Sequence, residues 1–200
     1  MSSVCHRVLI ALMFENVEPN PNKPSKTVSI FGSSRPKEDS IEYQEAELLG
    51  KKLSSAGLSV CTGGYRGIME AVSKGASQTE GNIIGVTSAV FSPAPNRYVN
   101  MQVHTMTLYE RLQKLIELGN GYIILKGGTG TLVEFALVWE LMNKNMISEK
   151  PIIAVTDFWK PVVDLLDTEL EYEGLESCTR YVRIAKDVSE AADLMISAIG

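Results

Sequence analysis

The sequence predicts an α/β protein: a doubly wound, Rossmann-like, mostly parallel sheet with helices on both faces. Three observations predict it. Short apolar runs alternate with stretches of helical apolar spacing from residue 28 to the end of the chain, the pattern of right-handed strand-helix-strand crossovers. Two of the runs, the one ending at Cys61 and the one opening at Tyr122, break into glycine turns that feed helices, as in a nucleotide crevice at strand C-termini. The composition, 44% hydrophobic and 22% charged over 200 residues, suits a globular chain with a substantial core.

Residues 1–26 are expected to form an arm and linker, and residues 27–200 one nucleotide-binding domain. Val8 to Phe14 is a short apolar run that leads into Glu15 with no small-residue cleavage site, so it reads as an extra strand or packing arm, not a signal peptide. Pro19, Pro21 and Pro24 mark Glu15 to Lys26 as linker. Val28–Phe31 is then a strand entering Gly32, Ser33 and Ser34. Asp39 followed by Glu42 opens a helix with Ile41, Ala46, Leu49 and Leu53 inside, ending near Gly57.

Leu58–Cys61 is the next strand, followed by the turn Thr62 to Gly67 and a helix over Ile68–Ser77. Arg66 in that turn faces either a phosphate or solvent, and solvent is the default expectation. Ile83–Thr87 and Val99–Val103 read as strands, joined by a loop with Pro93, Pro95 and Arg97 of the kind that contacts a ligand or a partner subunit. Thr105–Gly119 reads as a helix with Leu108, Leu112, Leu115 and Ile116 inside and a solvated Glu110–Lys114 pair outside. Arg111 falls at the edge of the apolar side. Its ordinary fate is a stem along the surface with the head in water; a buried head needs an anionic partner.

The richest stretch is the strand from Tyr122, the loop Gly127, Gly128, Thr129, Gly130 and Thr131, and an apolar helix behind it. Glycines let the main chain come close to a ligand, and the free N–H groups and dipole of the helix start suit a phosphate. Thr131 and Glu134 fit two roles: a capping box, or a threonine on phosphate with a carboxylate beside the sugar that carries it. Ile152–Val155, Phe158–Leu170, Val182–Ala185 and Val188–Ile199 follow as strand, helix, strand and helix. No phosphate turn recurs there, so this part is expected to be scaffold, with Trp139 and Trp159 in the core.

Charge and composition narrow the chemistry. A net charge of −5 gives no general attraction for nucleic acid or an anionic membrane, and no apolar run approaches a membrane span. Cys5, Cys61 and Cys178 are widely spaced with no Cys-x-x-Cys pair, which suits a reducing cytoplasm and indicates neither a disulfide framework nor a zinc site. His6 and His104 stand alone, so catalysis would use carboxylates, Arg, Lys or the main chain, with no metal or cofactor implied. No lysine sits in a context that suggests a Schiff base to pyridoxal phosphate.

Gly127-Gly128-Thr129-Gly130-Thr131-Leu132-Val133-Glu134 is similar to Pro-Gly-Gly-x-Gly-Thr-x-x-Glu. Phe31-Gly32-Ser33-Ser34, Tyr43 with Glu45-Ala46, Leu49-Gly50, Gly63-Gly64 with Gly67-Ile68-Met69, and Glu110-Arg111 match the same pattern. Over residues 28 to 198 the chain thus resembles the Lonely guy family of cytokinin-activating nucleoside 5′-monophosphate phosphoribohydrolases, long labelled lysine decarboxylases. Their relatives include molybdenum-cofactor carrier proteins.

The resemblance implies Arg111 and Glu134 as catalytic residues. It implies phosphate held at Gly127, Gly128, Thr129, Gly130 and Thr131, with Gly32, Ser33, Ser34, Gly63, Gly64, Gly67 and Met69 along the rest of the crevice. It also implies a homodimer acting on AMP or an N6-substituted AMP. Three positions depart from the pattern: Lys126 replaces its Pro, Leu112 the basic residue after its Arg, and Val133 a second Glu of many members. Lys126 is expected to add a charge at the crevice floor. The departures keep open a second reading, a carrier of a nucleotide-like or pterin-derived ligand in which Glu134 is only a cap.

Overall fold

The computed structural model describes residues 26–91 and 94–200, so the expected arm over residues 1–25 lies outside the described residues. Seven strands form one sheet: β1 (Thr27–Phe31), β2 (Ser59–Thr62), β3 (Ile83–Ser88), β4 (Met101–Thr105), β5 (Gly121–Ile124), β6 (Ile152–Val155) and β7 (Val182–Ala185). Their order is β4-β3-β2-β1-β5-β6-β7, and every neighbouring pair is parallel. Order reverses between β1 and β5, where Val28 pairs with Gly121 and Phe31 with Ile124. A crevice opens at such a reversal because the connections on its two sides leave toward opposite faces.

Helices cover both faces. On one, α1 (Ile41–Ser55), α2 (Ile68–Ala76) and α6 (Val188–Ile199) bury Tyr43, Leu49, Val72 and Met195 against Val28, Ile30 and Val60. On the other, α3 (Leu108–Leu118), α4 (Thr129–Asn143) and α5 (Lys160–Tyr172) bury Leu115, Phe135, Trp139 and Val163 against Phe31, Ile124 and Ala154. A 3-10 turn, Glu176–Tyr181, precedes β7. No helix among the described residues is long and apolar enough to cross a membrane.

Several helix ends fall one step from their expected places, because the residue that supplies the cap decides where a helix begins. Ser40 caps α1 by accepting the Tyr43 N–H. That puts Ile41 at the first turn, 71% exposed, and gives the inward position to Tyr43. Thr107 caps α3, so Leu108 is exposed while Leu112, Leu115 and Ile116 are buried as expected. Glu110 reaches back to the Met106 N–H at 2.8 Å and does not pair with Lys114, which bridges Glu117 at 2.9 Å. Strand β4 starts at Met101 because Val99 is still in a turn, its N–H on the Asn96 carbonyl.

Both tryptophans are buried, and Trp159 braces the approach to the glycine loop. Trp159 donates from Nε1 to the Leu125 carbonyl at 3.0 Å, just ahead of Gly127, and Trp139 donates to the Cys178 carbonyl at 3.1 Å. Phe135 stacks on Trp139 and meets Trp159 edge-on. The base of α4 is therefore fixed by aromatic packing from the segment after residue 150, whose described side chains support the cleft described next without lining it.

Candidate active site

A cleft of about 870 Å³ lies at the C-terminal ends of β1, β2, β3 and β5, at the reversal of strand order. Its walls are the β1 loop (Gly32, Ser33, Ser34, Arg35), the β2 loop and α2 (Tyr65, Arg66, Met69), the β3–β4 connection (Phe91, Ala94, Pro95, Asn96), Arg111 from α3, and the start of α4 (Gly128, Thr129, Gly130, Thr131, Glu134). The loops are tied to one another. Ser33 donates its N–H to the Lys126 carbonyl at 3.2 Å and accepts the Ile68 N–H at 2.9 Å. Asn96 donates from Nδ2 to the carbonyls of Gly64 and Tyr65. Gly67 has φ +68°, and a Cβ there would strike the main chain of Ser33 and Ser34.

Helix α4 begins at Thr129 with Gly128 as its N-cap, and no side chain caps it. Thr131 lies inside the first turn, 4% exposed, and Glu134 comes one turn later, so the pair forms no capping box. The reason is that the helix already includes Thr129 and Gly130; Leu132 is the first residue whose N–H meets an intrahelical carbonyl, that of Gly128 at 3.0 Å. The N–H groups of Thr129, Gly130 and Thr131 are left directed at the cleft with the positive end of the helix dipole behind them. Such a socket accepts phosphate.

One turn deeper, Glu134 meets Arg111. The Arg111 head is buried, with the residue 7% exposed, and not in water as its place at a helix edge alone suggested. Nε donates to the Val86 carbonyl at 3.0 Å, Nη2 lies 3.9 Å from Met69 Sδ, and Nη1 is 3.5 Å from Glu134 Oε1. The guanidinium also faces the rings of Tyr65 and Phe91, with Cζ at 5.6 and 5.8 Å from their centroids. Gly63 makes room for it, since a Cβ at that position would overlap Nη2. An aliphatic stem on a helix edge thus ends in an acceptor, a sulfur, two aromatic faces and a carboxylate.

The Glu134 side chain is only 13% exposed. Burial pushes its carboxyl up from an ordinary 4.5 to about 7, and the Arg111 charge opposes that rise without cancelling it. Arg111, 3.5 Å away, favours the ionised form through its charge and its hydrogen bonding, but the loss of water around the carboxyl outweighs both. A carboxyl poised near neutrality can take up or give a proton at the pH of the cell.

Of the residues singled out from sequence, Gly32, Ser33, Ser34, Met69, Arg111, Gly128, Thr129, Gly130, Thr131 and Glu134 share this cleft. Gly63, Gly64, Gly67 and Gly127 stand behind its wall, shaping the loops. Arg66, expected in solvent, is exposed at the mouth. Arg35, Tyr65, Phe91, Ala94 and Asn96 were not singled out; the proline-rich composition of residues 93–97 was the one signal pointing at their neighbourhood. The three departures do not alter the wall. Leu112 is buried, Val133 is half-exposed on the outer side of α4, and Lys126 is at the surface, not at the crevice floor, bridging Glu42 at 3.6 Å. No cluster of metal-ligating side chains occurs among the described residues.

The profile of the SLOG cluster4 family matches residues 25–181. The chain belongs to the SLOG cluster4 family. Among curated relatives, it is 26% identical over 175 residues to a cytokinin riboside 5′-monophosphate phosphoribohydrolase from Rhodococcoides fascians, covering 83% of this chain and 87% of that one. It is 34% identical over 171 residues to a pyrimidine/purine nucleotide 5′-monophosphate nucleosidase from Escherichia coli, covering 77% of this chain but only 37% of that longer protein.

Among solved structures, this SLOG cluster4 chain resembles the molybdenum cofactor binding protein of Rippkaea orientalis, at TM-score 0.66 and 27% identity, over 90% of this chain and 100% of that one. It also shares its fold with the molybdenum cofactor carrier protein of Chlamydomonas reinhardtii, at TM-score 0.64 and 23% identity over 87% of this chain and 98% of that one.

Proposed function

We propose that this protein hydrolyses the N-glycosidic bond of a purine nucleoside 5′-monophosphate, AMP or an N6-substituted AMP, to free base and ribose 5-phosphate. The observation that carries the reading is Glu134, a carboxyl with pKa about 7, set beside Arg111 one helical turn below an uncapped helix start. The names of the Rhodococcoides fascians and Escherichia coli relatives supply the reaction class.

In this reading the N–H groups of residues 129–131 and the hydroxyls of Ser33 and Ser34 hold the 5′-phosphate, which brings C1′ of the ribose down toward Glu134. As the bond to the base breaks, its electrons leave with the base and positive charge builds on the sugar. Ionised Glu134 stabilises that charge and takes a proton from the water that adds to C1′. The proton passes on to the departing base. Arg111 orients the carboxylate and keeps part of it ionised against the pull of burial.

A second reading has its own support in the likeness to the Rippkaea orientalis protein: a carrier that holds a nucleotide-like or pterin-derived ligand unchanged. It now lacks the capping role it gave Glu134. The test is release of free base from AMP and N6-substituted AMP by the wild type and by Glu134→Gln. Base release by the wild type alone supports the hydrolase; tight nucleotide binding by both proteins without release supports the carrier. We also take the protein to be a cytoplasmic homodimer, with exposed Tyr109 on α3 and Val133 on α4 available to a second copy. A monomer by light scattering at working concentration would refute the dimer.

A further inference from the structure

The hydrolase reading gives tasks to the phosphate socket and to the Glu134–Arg111 pair but none to the two aromatic rings beside them. Those rings are built, not incidental. The Tyr65 hydroxyl accepts the Ser88 N–H at 2.8 Å and donates to the Ser88 carbonyl at 3.2 Å, so one residue at the end of β3 fixes its ring through both main-chain groups. The Phe91 N–H bonds the same carbonyl at 3.1 Å. The ring centroids stand 6.0 Å apart at 79°, an edge-to-face pair.

Contacts across the cleft run in one order. The start of α4 leads to Glu134, Glu134 to the Arg111 head at 3.5 Å, and Arg111 to the faces of Tyr65 and Phe91. A nucleotide has the same order of parts: phosphate, ribose, base. Phe91 is 59% exposed although it lines the cleft, and its ring is held at one edge by Tyr65 and approached by the guanidinium. A planar heteroaromatic ring fits the remaining surface, since every base presents a π face to stack upon.

We propose that Phe91, held in place by Tyr65, is the stacking platform for the nucleobase. The proposal rests on the hydrolase reading for where phosphate and ribose lie, but not on turnover. Because stacking tolerates substituents at the edge of the base, the platform accepts AMP and N6-substituted AMP alike.

The test compares wild type, Phe91→Ala and Phe91→Trp, measuring binding of AMP and of ribose 5-phosphate by calorimetry. Phe91→Ala is expected to weaken AMP by about 10-fold to 100-fold and leave ribose 5-phosphate unchanged, while Phe91→Trp keeps AMP binding. Unchanged AMP binding in Phe91→Ala overturns the platform. So does an equal loss for both ligands, which would mean that Phe91 acts only through Arg111. A wild type that binds AMP in the expected pattern without releasing base would sink the hydrolase reading and leave the platform standing. A wild type that binds neither ligand would sink both.

Discussion

Burying Glu134 beside Arg111 couples stability to pH in a direction that a surface carboxylate would not show. Its folded pKa, about 7, is raised above the ordinary 4.5, so the folded protein holds this proton more tightly than the unfolded chain does. The resulting stability is fully present below pH 4.5 and is lost as pH rises through about 7, a swing of roughly 3 kcal/mol. Glu134→Gln cannot titrate. Urea unfolding at pH 5 and pH 8 is expected to show the variant gaining on the wild type by about that amount at the higher pH; a constant difference would mean that Glu134 is not desolvated. Gly63→Ala tests the other partner, because its Cβ would overlap Arg111 Nη2. Turnover is expected to fall at least ~10-fold and the melting temperature to fall with it, because a buried guanidinium loses its partners, whereas full activity would show that Arg111 has slack. The burial of Arg111 was not legible in the sequence, since Val86, Gly63 and Met69 reach it from three other elements. Helical spacing placed Arg111 at an edge and could not say what that edge faced.

At the scale of elements, the same sequence signature had opposite outcomes on two helices. Thr107 and Glu110 do cap α3, whereas Thr131 and Glu134 lie inside α4, because the preceding Thr129 and Gly130 were already able to turn as helix. What the pattern could not reveal is that leaving α4 without a side-chain cap frees its first N–H groups for a ligand. Thr129→Asp exploits this conflict. A carboxylate at the helix start interacts favourably with the dipole, so the variant is expected to gain about 0.3 to 1 kcal/mol in stability. The same charge repels a phosphate, so KM for AMP is expected to rise at least ~10-fold. Improved stability with unchanged KM would place the phosphate elsewhere.

For the molecule as a whole, the alternation of strands and helices and the glycine turns made the parallel architecture readable from residue 28 onward, because each crossover has one favoured hand. Strand order was not readable. That β1 and β5 are neighbours follows from packing between segments some ninety residues apart in sequence, such as the Thr27 N–H on Asn120 Oδ1 and the Asn120 N–H on the Thr27 carbonyl. This adjacency brings the serine loop and the glycine loop to one cleft, with the carboxyl–guanidinium pair beneath. The claim that this pair cleaves an N-glycosidic bond is tested most directly by incubating wild type and Glu134→Gln with AMP in ¹⁸O-labelled water and weighing both products. Wild type is expected to yield adenine and ribose 5-phosphate labelled at C1, and Glu134→Gln to bind AMP but form neither. Label appearing in inorganic phosphate, equal base release by both proteins, or no release by a wild type that binds AMP would contradict the claim.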